Sequence, residues 1–596
     1  MTSTARTCLT ARSFGHDAHE YGDLMATEDA GYWLIGLNDG SPAAVLIDEG
    51  VAHQKAGRFK ESLDSFQQAD GLIPDRWEPR NNIAGALIAL GQGDRALEIL
   101  LECRQADPTN PALASNLMHL QYDRKDWVGC QATMASIRDL GDPQSWIEVN
   151  VGTAQMTMLE PAEAKASFER ALRVSPDDEL VHHKLIYVSD FDPDVTAEDA
   201  LNLRTRWYET HGKPLPHRVT HDNVKDPDRP LKVGYVGGDF YCHSALYCFG
   251  PVIRRHSDAI IPYVYSSTSH VEDPYTAALK SVVPYWQNVV GVSDADLADQ
   301  ITRDAIDVLV DLSGFTTNTR LLVFARKPAP VQVTAWGYAT GTGMARMDAF
   351  FADSVVVPDH LRKHYTEEVI HLPSVVPFES PWVVPFDFAP EVGRSPAREH
   401  GIIRFGSLNR AEKINARVIA AWIDILRAVP DSRLILKSHQ LHIPEVQAKV
   451  KGWFTDGGID AVRLDLVGTT PHPVHMQVLN CIDITLDTFP HTGGVSALES
   501  LYMGVPVVTM LGDRSVNRLS ASFLTQMGHT DWIAESHEEY VQIAVNLAKD
   551  VDRLAAIRRT MRDRMKRAPF CQLDTYTDAV ETAYRRLWHR WCERAA

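Results

Sequence analysis

The chain has 596 residues, 44% of them hydrophobic and 23% charged, with a formal net charge of -19 and a pI near 5.7. Such a length exceeds what one core can bury and calls for roughly three to five domains. The acidic balance argues against a nucleic-acid partner, which would want a basic face. No apolar run approaches the ~18 residues that a membrane helix needs.

The eight cysteines form no C-x-x-C pair, and two of them, Cys103 and Cys130, occupy small positions of a repeat, a usage that points to reduced thiols and a cytoplasmic home. Residues 1 to about 45 read as an irregular leader. Arg6 and Arg12, without an acid nearby, give its start a faint likeness to a transit peptide, but the apolar stretch of a secretory signal is lacking.

Three columns then recur at a step of 34 residues: Ser62, Ala96, Cys130 and Ala164; Phe66, Leu100, Met134 and Phe168; Ala69, Cys103, Ile137 and Ala171. Pro74, Pro108, Pro143 and Pro176 close the units. A small residue followed four later by a large one lets the two helices of a hairpin approach and lock, and the proline stops the second helix. This is the period and pattern of tetratricopeptide repeats, here about four of them, and it implies a superhelix with a groove for a polypeptide. Ala197 to Tyr208 reads as one further helix, so that the helical region spans 46–210. A stretch rich in breakers, from His211 to Pro230, reads as a linker over 211–230.

From Leu231 the texture changes to short apolar runs between amphipathic ones. Leu231–Val236, Ile261–Tyr265, Ile306–Leu312 and Val331–Trp336 are expected strands, with helices over Asp294–Arg303 and Asn318–Arg326. After the proline-rich stretch Pro373–Pro390 comes a second set: Ile403–Ser407, Arg433–Lys437, Val462–Val467, Ile482–Leu486 and Pro506–Met510. Strand and helix alternation implies parallel sheets covered on both faces, hence two doubly wound, Rossmann-like domains, 231–390 and 391–596, with a cleft where the carboxyl ends of their strands meet.

Three segments at such strand ends carry candidate chemistry. In Phe405–Asn415, Lys413 precedes the amphipathic helix Val418–Ala428 and, with Asn409 beside it, can reach a phosphate and neutralise charge on a leaving diphosphate. In Leu486–Pro506, Gly493 and Gly494 admit a ligand close to the backbone, Val495 and Ser496 open a helix whose amides can hold phosphate oxygens, and Glu499 can accept from ribose hydroxyls. In Tyr235–Ser244, His243 can serve as a base or orient an acceptor hydroxyl. His475, in Thr469–Met476, can touch a phosphate or cap its helix. The run Arg553, Arg558, Arg559, Arg562, Arg564, Lys566 and Arg567 reads as a solvated helix face. Asp190-Phe-Asp192 and Asp294-Ala-Asp296 have a D-x-D spacing but read as solvated acids of the linker region and a surface helix, and no metal is expected.

Five motifs in order resemble the O-linked N-acetylglucosamine transferase and SPINDLY family: Gly234-Tyr-Val-x-x-Asp-Phe-x-x-His243; Arg326–Thr334; Lys413-Ile-Asn415; Leu486–Pro490; and Glu499–Pro506 with Gly512-Asp-Arg514 and Arg518. The likeness covers about residues 231 to 590, and the preceding repeats match the family's domain order. It implies two sheet domains of the GT-B type, with the donor bound mainly by the C-terminal one, and an inverting, metal-independent transfer from a nucleotide sugar, which is a substrate rather than a cofactor. Within the resemblance Lys413 matches the essential lysine at the diphosphate, His243 an active-site histidine that acts as base or only positions, His475 a histidine on the donor phosphates, and Glu499 the ribose acid. The candidate donor-binding set is Asn409, Arg410, Thr470, His475, Gly493, Gly494, Val495, Ser496 and Glu499, with Lys413 and His243 as catalytic candidates.

Two departures stand out. Val495-Ser496 replaces a frequent threonine pair, removing one hydroxyl from the phosphate site, and Arg410 replaces a glutamine near the sugar, which leaves room for a different donor. The favoured reading is transfer of N-acetylglucosamine from UDP-GlcNAc to Ser or Thr of a protein held by the repeats. GDP-fucose, a nonulosonic acid donor with flagellin as acceptor, and a non-catalytic repeat-bearing adaptor are the alternatives.

Overall fold

The computed structural model describes residues 34, 36, 37, 40–136, 145–380, 386 and 389–594, and these described residues fall into two compact units divided between Val181 and His182. Most of the expected leader, Ile137, Pro143 and part of the proline-rich stretch before Pro390 lie outside the described residues.

The first unit is a series of helical hairpins: Pro42–Lys55 with Phe59–Leu72, Trp77–Ala89 with Gly93–Ala106, Pro111–Asp123 with Trp127–Ala135, and Ser145–Thr157 with Pro161–Val174. The first helix among the described residues begins inside the expected leader, with Ser41 accepting from the Ala44 amide and Pro42 in the first turn. The described members of all three columns are buried to 2% exposure or less. A Cβ on Gly50 would meet the Phe66 ring at 2.4 Å, and one on Gly152 the Phe168 ring at 2.6 Å, so the large column locks into a groove that only a missing side chain opens. Pro74, Pro108 and Pro176 stand two residues past the helix ends at Leu72, Ala106 and Val174, as expected of a residue that cannot donate to the ladder and bars its predecessor from helix.

The second unit starts well ahead of the expected 211–230 linker. Trp207 and Tyr208, with Ile186, share an apolar cluster with Val236, Leu309, Phe315 and Phe324 of the first sheet domain, which makes the helix Ala197–Trp207 and the wide turn Tyr208–Gly212 part of that sheet's cover. Burial of aromatic surface decides the boundary, whatever breakers follow.

The first sheet holds β1 (Leu231–Gly237), β2 (Ile260–Ser266), β3 (Tyr285–Asn288), β4 (Val308–Asp311), β5 (Val331–Thr334), β6 (Ala349–Ala352) and β7 (Glu368–His371), all parallel, in the order β3-β2-β1-β4-β5-β6-β7. The second holds β8 (Arg404–Ser407), β9 (Arg433–Lys437), β10 (Leu464–Val467), β11 (Ile484–Leu486), β12 (Val507–Met510) and β13 (Ile533–Ala534), also parallel, in the order β10-β9-β8-β11-β12-β13. The helix expected over Asn318–Arg326 forms only at Leu321–Ala325, because Asn318 sits at φ 59° in the left-handed region.

Two expectations about the C-terminal region change. The last helix, Leu573–Arg594, leaves the second domain and packs on the first: Trp336 Nε1 donates to the Tyr576 hydroxyl at 2.9 Å, which donates to the Ser374 carbonyl at 3.0 Å, and Trp588 Nε1 reaches the Asp226 carbonyl at 3.0 Å. Tyr576, Val580, Tyr584 and Trp588 form the buried stripe, at helical spacing, that drives the crossing. The basic run is also not a uniformly solvated face. Arg558 is buried and donates to the carbonyls of Gly393, Leu479 and Ile482, while Arg562 lies 4.2 Å over the Tyr502 ring, so these guanidiniums tie up carbonyl groups at loop ends.

Candidate functional site

In each sheet the strand order reverses once, between β1 and β4 and between β8 and β11, and ligands of open parallel sheets bind outside the carboxyl ends at such a reversal. The residues that follow these four strands are the segments after Gly237, Asp311, Ser407 and Leu486. Three of them are the segments that the sequence singles out.

The second domain's segment is organised by Asp487, fully buried just past β11. Its carboxylate accepts from Asn409 Nδ2 at 2.9 Å, the Thr488 amide at 2.9 Å, the Gly493 amide at 2.7 Å and Thr509 Oγ1 at 2.8 Å. Burial raises its proton affinity and the donors lower it only in part, leaving the carboxyl above its ordinary range. A Cβ on Gly493 would come within 3.0 Å of Ser496 Oγ and 3.1 Å of Asp487 Oδ1, so any side chain there would crowd the turn. The Gly493 amide, expected to approach a ligand, is therefore spent on the turn itself.

Lys413 ends a short 3-10 turn after β8 and donates to the Thr492 carbonyl at 2.9 Å, so the ammonium and the glycine turn are neighbours. Burial pushes its pKa down to about 8, opposed by Asp487 and aided by Arg410. Gly494 caps the helix Val495–Tyr502, whose leading N–H groups have no carbonyl of that helix to bond. Ser496 Oγ donates to Asn409 Oδ1 at 2.7 Å and so fixes Asn409 between the helix and Asp487. A cation, a helix start and a backbone turn thus converge, which is the arrangement that holds a phosphate.

Glu499 lies one turn inside that helix, buried, with both oxygens engaged. His472 Nε2 donates to Oε1 at 2.7 Å and His475 Nε2 to Oε2 at 3.2 Å. Burial raises the Glu499 proton affinity, but the two imidazoles outweigh it and hold the carboxyl far below its usual range. Glu499 and His475, expected at ribose and phosphates, are thus joined in one cluster before any ligand is considered. His472, the nearer partner, is missed by the sequence reading, although its spacing of three residues from His475 puts both on one helix face. Thr470 sits just before that helix with its hydroxyl buried and without a partner.

From the first domain, the helix Ser244–Arg254 reaches the same cluster: the Tyr247 ring lies 5.9 Å from that of His472. His243 caps this helix, accepting from the Ala245 amide at 3.3 Å, with Asp239 Oδ1 3.5 Å from its Nδ1. It stands at the carboxyl edge of β1, as expected, in a capping role.

A further wall comes from residues 187–194, which the sequence assigns no chemistry. Arg410 donates to the Tyr187 hydroxyl at 2.6 Å, Arg514 to the carbonyls of Ser189 and Asp192 at 3.0 and 2.9 Å, and Arg417 to Asp194. Asp190, expected to be solvated, is buried and bonded to Arg204 at 2.9 Å and to the Tyr338 hydroxyl. Phe191 stacks on His491 at 5.2 Å. These contacts join groups distant in sequence, and none of them is expected from the sequence, although Arg410 and Arg514 stand out there for other reasons.

Two consecutive parallel sheets, each with one reversal of strand order, are the two-lobed glycosyltransferase architecture. The family model for glycosyl transferase family 41 matches residues 182–378 and 397–580, and a tetratricopeptide repeat model matches 53–115. The chain belongs to glycosyl transferase family 41. It is 32% identical to the probable UDP-N-acetylglucosamine–peptide N-acetylglucosaminyltransferase SPINDLY of Oryza sativa subsp. japonica over 72% of its own length and 46% of that protein. The Arabidopsis thaliana SPINDLY protein is 34% identical over 63% of the chain and 42% of its own length, so the chain spans less than half of these relatives. A solved structure of a lysine-to-methionine variant of the Thermobaculum terrenum O-GlcNAc transferase superposes with a TM-score of 0.76 and 27% identity, covering 94% of this chain and all of that one.

Proposed function

We propose that the protein transfers a sugar, with inversion, from a nucleotide-sugar donor to a Ser or Thr hydroxyl of a protein captured by its helical repeats. UDP-GlcNAc is the favoured donor, in keeping with the names of its relatives. The observation that carries this reading is the seating of the Lys413 ammonium on the Thr492 carbonyl, beside the turn that leads into the helix Val495–Tyr502. There Lys413 and the leading amides of that helix stabilise the departing diphosphate as its charge develops, and the reading calls for no metal. Inversion follows from direct attack of the acceptor hydroxyl on the face opposite the leaving group. His243 orients that hydroxyl from the first domain's edge. Glu499, released from one imidazole, accepts from the ribose.

The repeats recruit the acceptor, flagellin among the candidate clients. A cytoplasmic setting fits the free state of the seven cysteines among the described residues; among those residues no helix is long and apolar enough to cross a membrane.

The test is a donor screen on the full chain. UDP, GDP, UDP-GlcNAc and GDP-fucose are each assayed for thermal stabilisation, and the stabilising sugar nucleotide is then assayed for transfer into lysate protein. Stabilisation by UDP and UDP-GlcNAc with labelling of Ser or Thr supports the reading; labelling only from GDP-fucose moves the donor; stabilisation by none of the four removes it.

A further inference from the structure

One side chain at the centre of the site is not used by this reading. His491 lies one residue before the Thr492 carbonyl that seats Lys413 and two before the Gly493 turn. Its Nδ1 is closed off from solvent and has no hydrogen-bond partner. Phe191 stacks on the ring at 5.2 Å and 21°, and is itself backed by Tyr187 at 5.1 Å and 83°. Burial, and then the positive charges of Lys413, Arg514 and Arg410, hold the imidazole neutral. A buried, unpaired polar nitrogen costs about 1–3 kcal/mol, and here that nitrogen sits in the site itself.

We propose that His491, held in place by Phe191, reads the glycosyl group of the donor, its imidazole hydrogen-bonding a hydroxyl or amide substituent of the sugar ring. The inference rests on the donor-binding reading above. If Lys413 and the helix amides hold the diphosphate, the sugar hangs from the phosphate beside them, next to His491. A neutral imidazole suits an uncharged hydroxyl or amide, whereas a phosphate oxygen is better met by the three cations around it. Phe191 acts as a positioning residue through the ring that it fixes.

Calorimetry on the full chain separates the outcomes, using UDP, UDP-GlcNAc and UDP-glucose as probes. His491→Ala is expected to leave UDP affinity within about twofold, to weaken UDP-GlcNAc by about tenfold or more, and to shrink the ratio between the two sugar nucleotides. His491→Gln, which keeps a polar group and guards against a folding defect read from the melting temperature, retains part of that ratio. Phe191→Leu gives a smaller loss in the same direction. Equal loss for UDP and UDP-GlcNAc makes His491 a phosphate or structural residue and overturns the proposal, as does an unchanged ratio. A wild-type chain that binds UDP-GlcNAc no better than His491→Ala overturns it while leaving the donor site standing, whereas a wild type that binds neither UDP nor GDP fells the donor-binding reading and this inference together; where GDP alone binds, the same ratio is read between GDP and GDP-fucose.

Discussion

The two sheet domains carry the same device at the same place and put it to different use. Asp311 closes β4 and Asp487 follows β11, each fully buried at the reversal of its sheet. Each accepts from a threonine on the neighbouring strand at 2.8 Å, Thr334 on β5 and Thr509 on β12. Each also gathers loop amides: Ser313 and Gly314 at 3.1 and 3.0 Å for Asp311, Thr488 and Gly493 at 2.9 and 2.7 Å for Asp487. The difference is reach. Asp311 bonds the amides two and three residues on, which folds its turn tightly over the strand end, while Asp487 bonds one six residues on and leaves Phe489 to Thr492 looped out. That loop supplies the Thr492 carbonyl for Lys413 and carries His491. A longer loop on one identical anchor turns a structural turn into a candidate binding site.

The strongest way to break the contrast is at the ammonium. Lys413→Met is expected to reduce transfer by at least about a hundredfold, with the melting temperature little changed, because the loss falls on charge stabilisation of the leaving group. Turnover within tenfold of wild type in a steady-state assay would move the chemistry elsewhere. Next come the two aspartates. Asp311→Asn and Asp487→Asn each turn an amide NH2 toward groups that already donate, and each should cost about 1–3 kcal/mol in chemical denaturation. Only the second should also abolish thermal stabilisation by UDP; parallel effects of both on UDP binding would erase the distinction between the turns.

Protonation gives a third lever. Lys413, lowered to about 8, loses its charge as pH rises through that value, and the free enzyme then lacks the group that offsets the diphosphate. The value of kcat/KM should therefore fall as pH rises through about 8, by about tenfold for each further unit. Glu499 bears the opposite sign. Its depressed carboxyl contributes stability that is present above the ordinary carboxylate range and is lost only as pH falls below it. A profile that is flat between about pH 7 and 9.5 would separate Lys413 from the rate-limiting charge.

What could be read from the sequence follows the range of the forces involved. The repeat columns, β1, β2, β4, β5 and the strands β8 to β12 are legible because each is a local apolar period. β3 is missed because Tyr285–Asn288 is a half-exposed edge with polar residues, β7 because four residues with charged and polar ends form no apolar run, and β13 because two residues form no pattern. β6, four apolar residues, is too short to stand out from its loop. Lys413, Gly493 and Glu499 were legible as motifs at strand ends. His472 and His491 were not, since their meaning lies in partners such as Glu499 and Phe191 that only folding brings near. The return of the last helix to the first sheet was encoded in the Tyr576, Tyr584 and Trp588 stripe, but a stripe does not name the surface that it covers.

The smallest predicted effect tests the looped-out turn at its end. Val495 opens the helix after Gly494 and is partly exposed, so Val495→Thr swaps one methyl for a hydroxyl without changing branching at Cβ or the backbone preference. If the diphosphate rests on the leading amides, the hydroxyl gains one hydrogen bond to it, worth about 0.5–1.5 kcal/mol, and UDP binding should tighten by roughly two- to tenfold in calorimetry. UDP-GlcNAc should gain by the same factor, since the added contact is to phosphate, in contrast with the selective effect expected at His491. A gain confined to the sugar nucleotide would place the sugar, and not the phosphate, against this end of the helix, and Lys413 would then have to be reassigned with it.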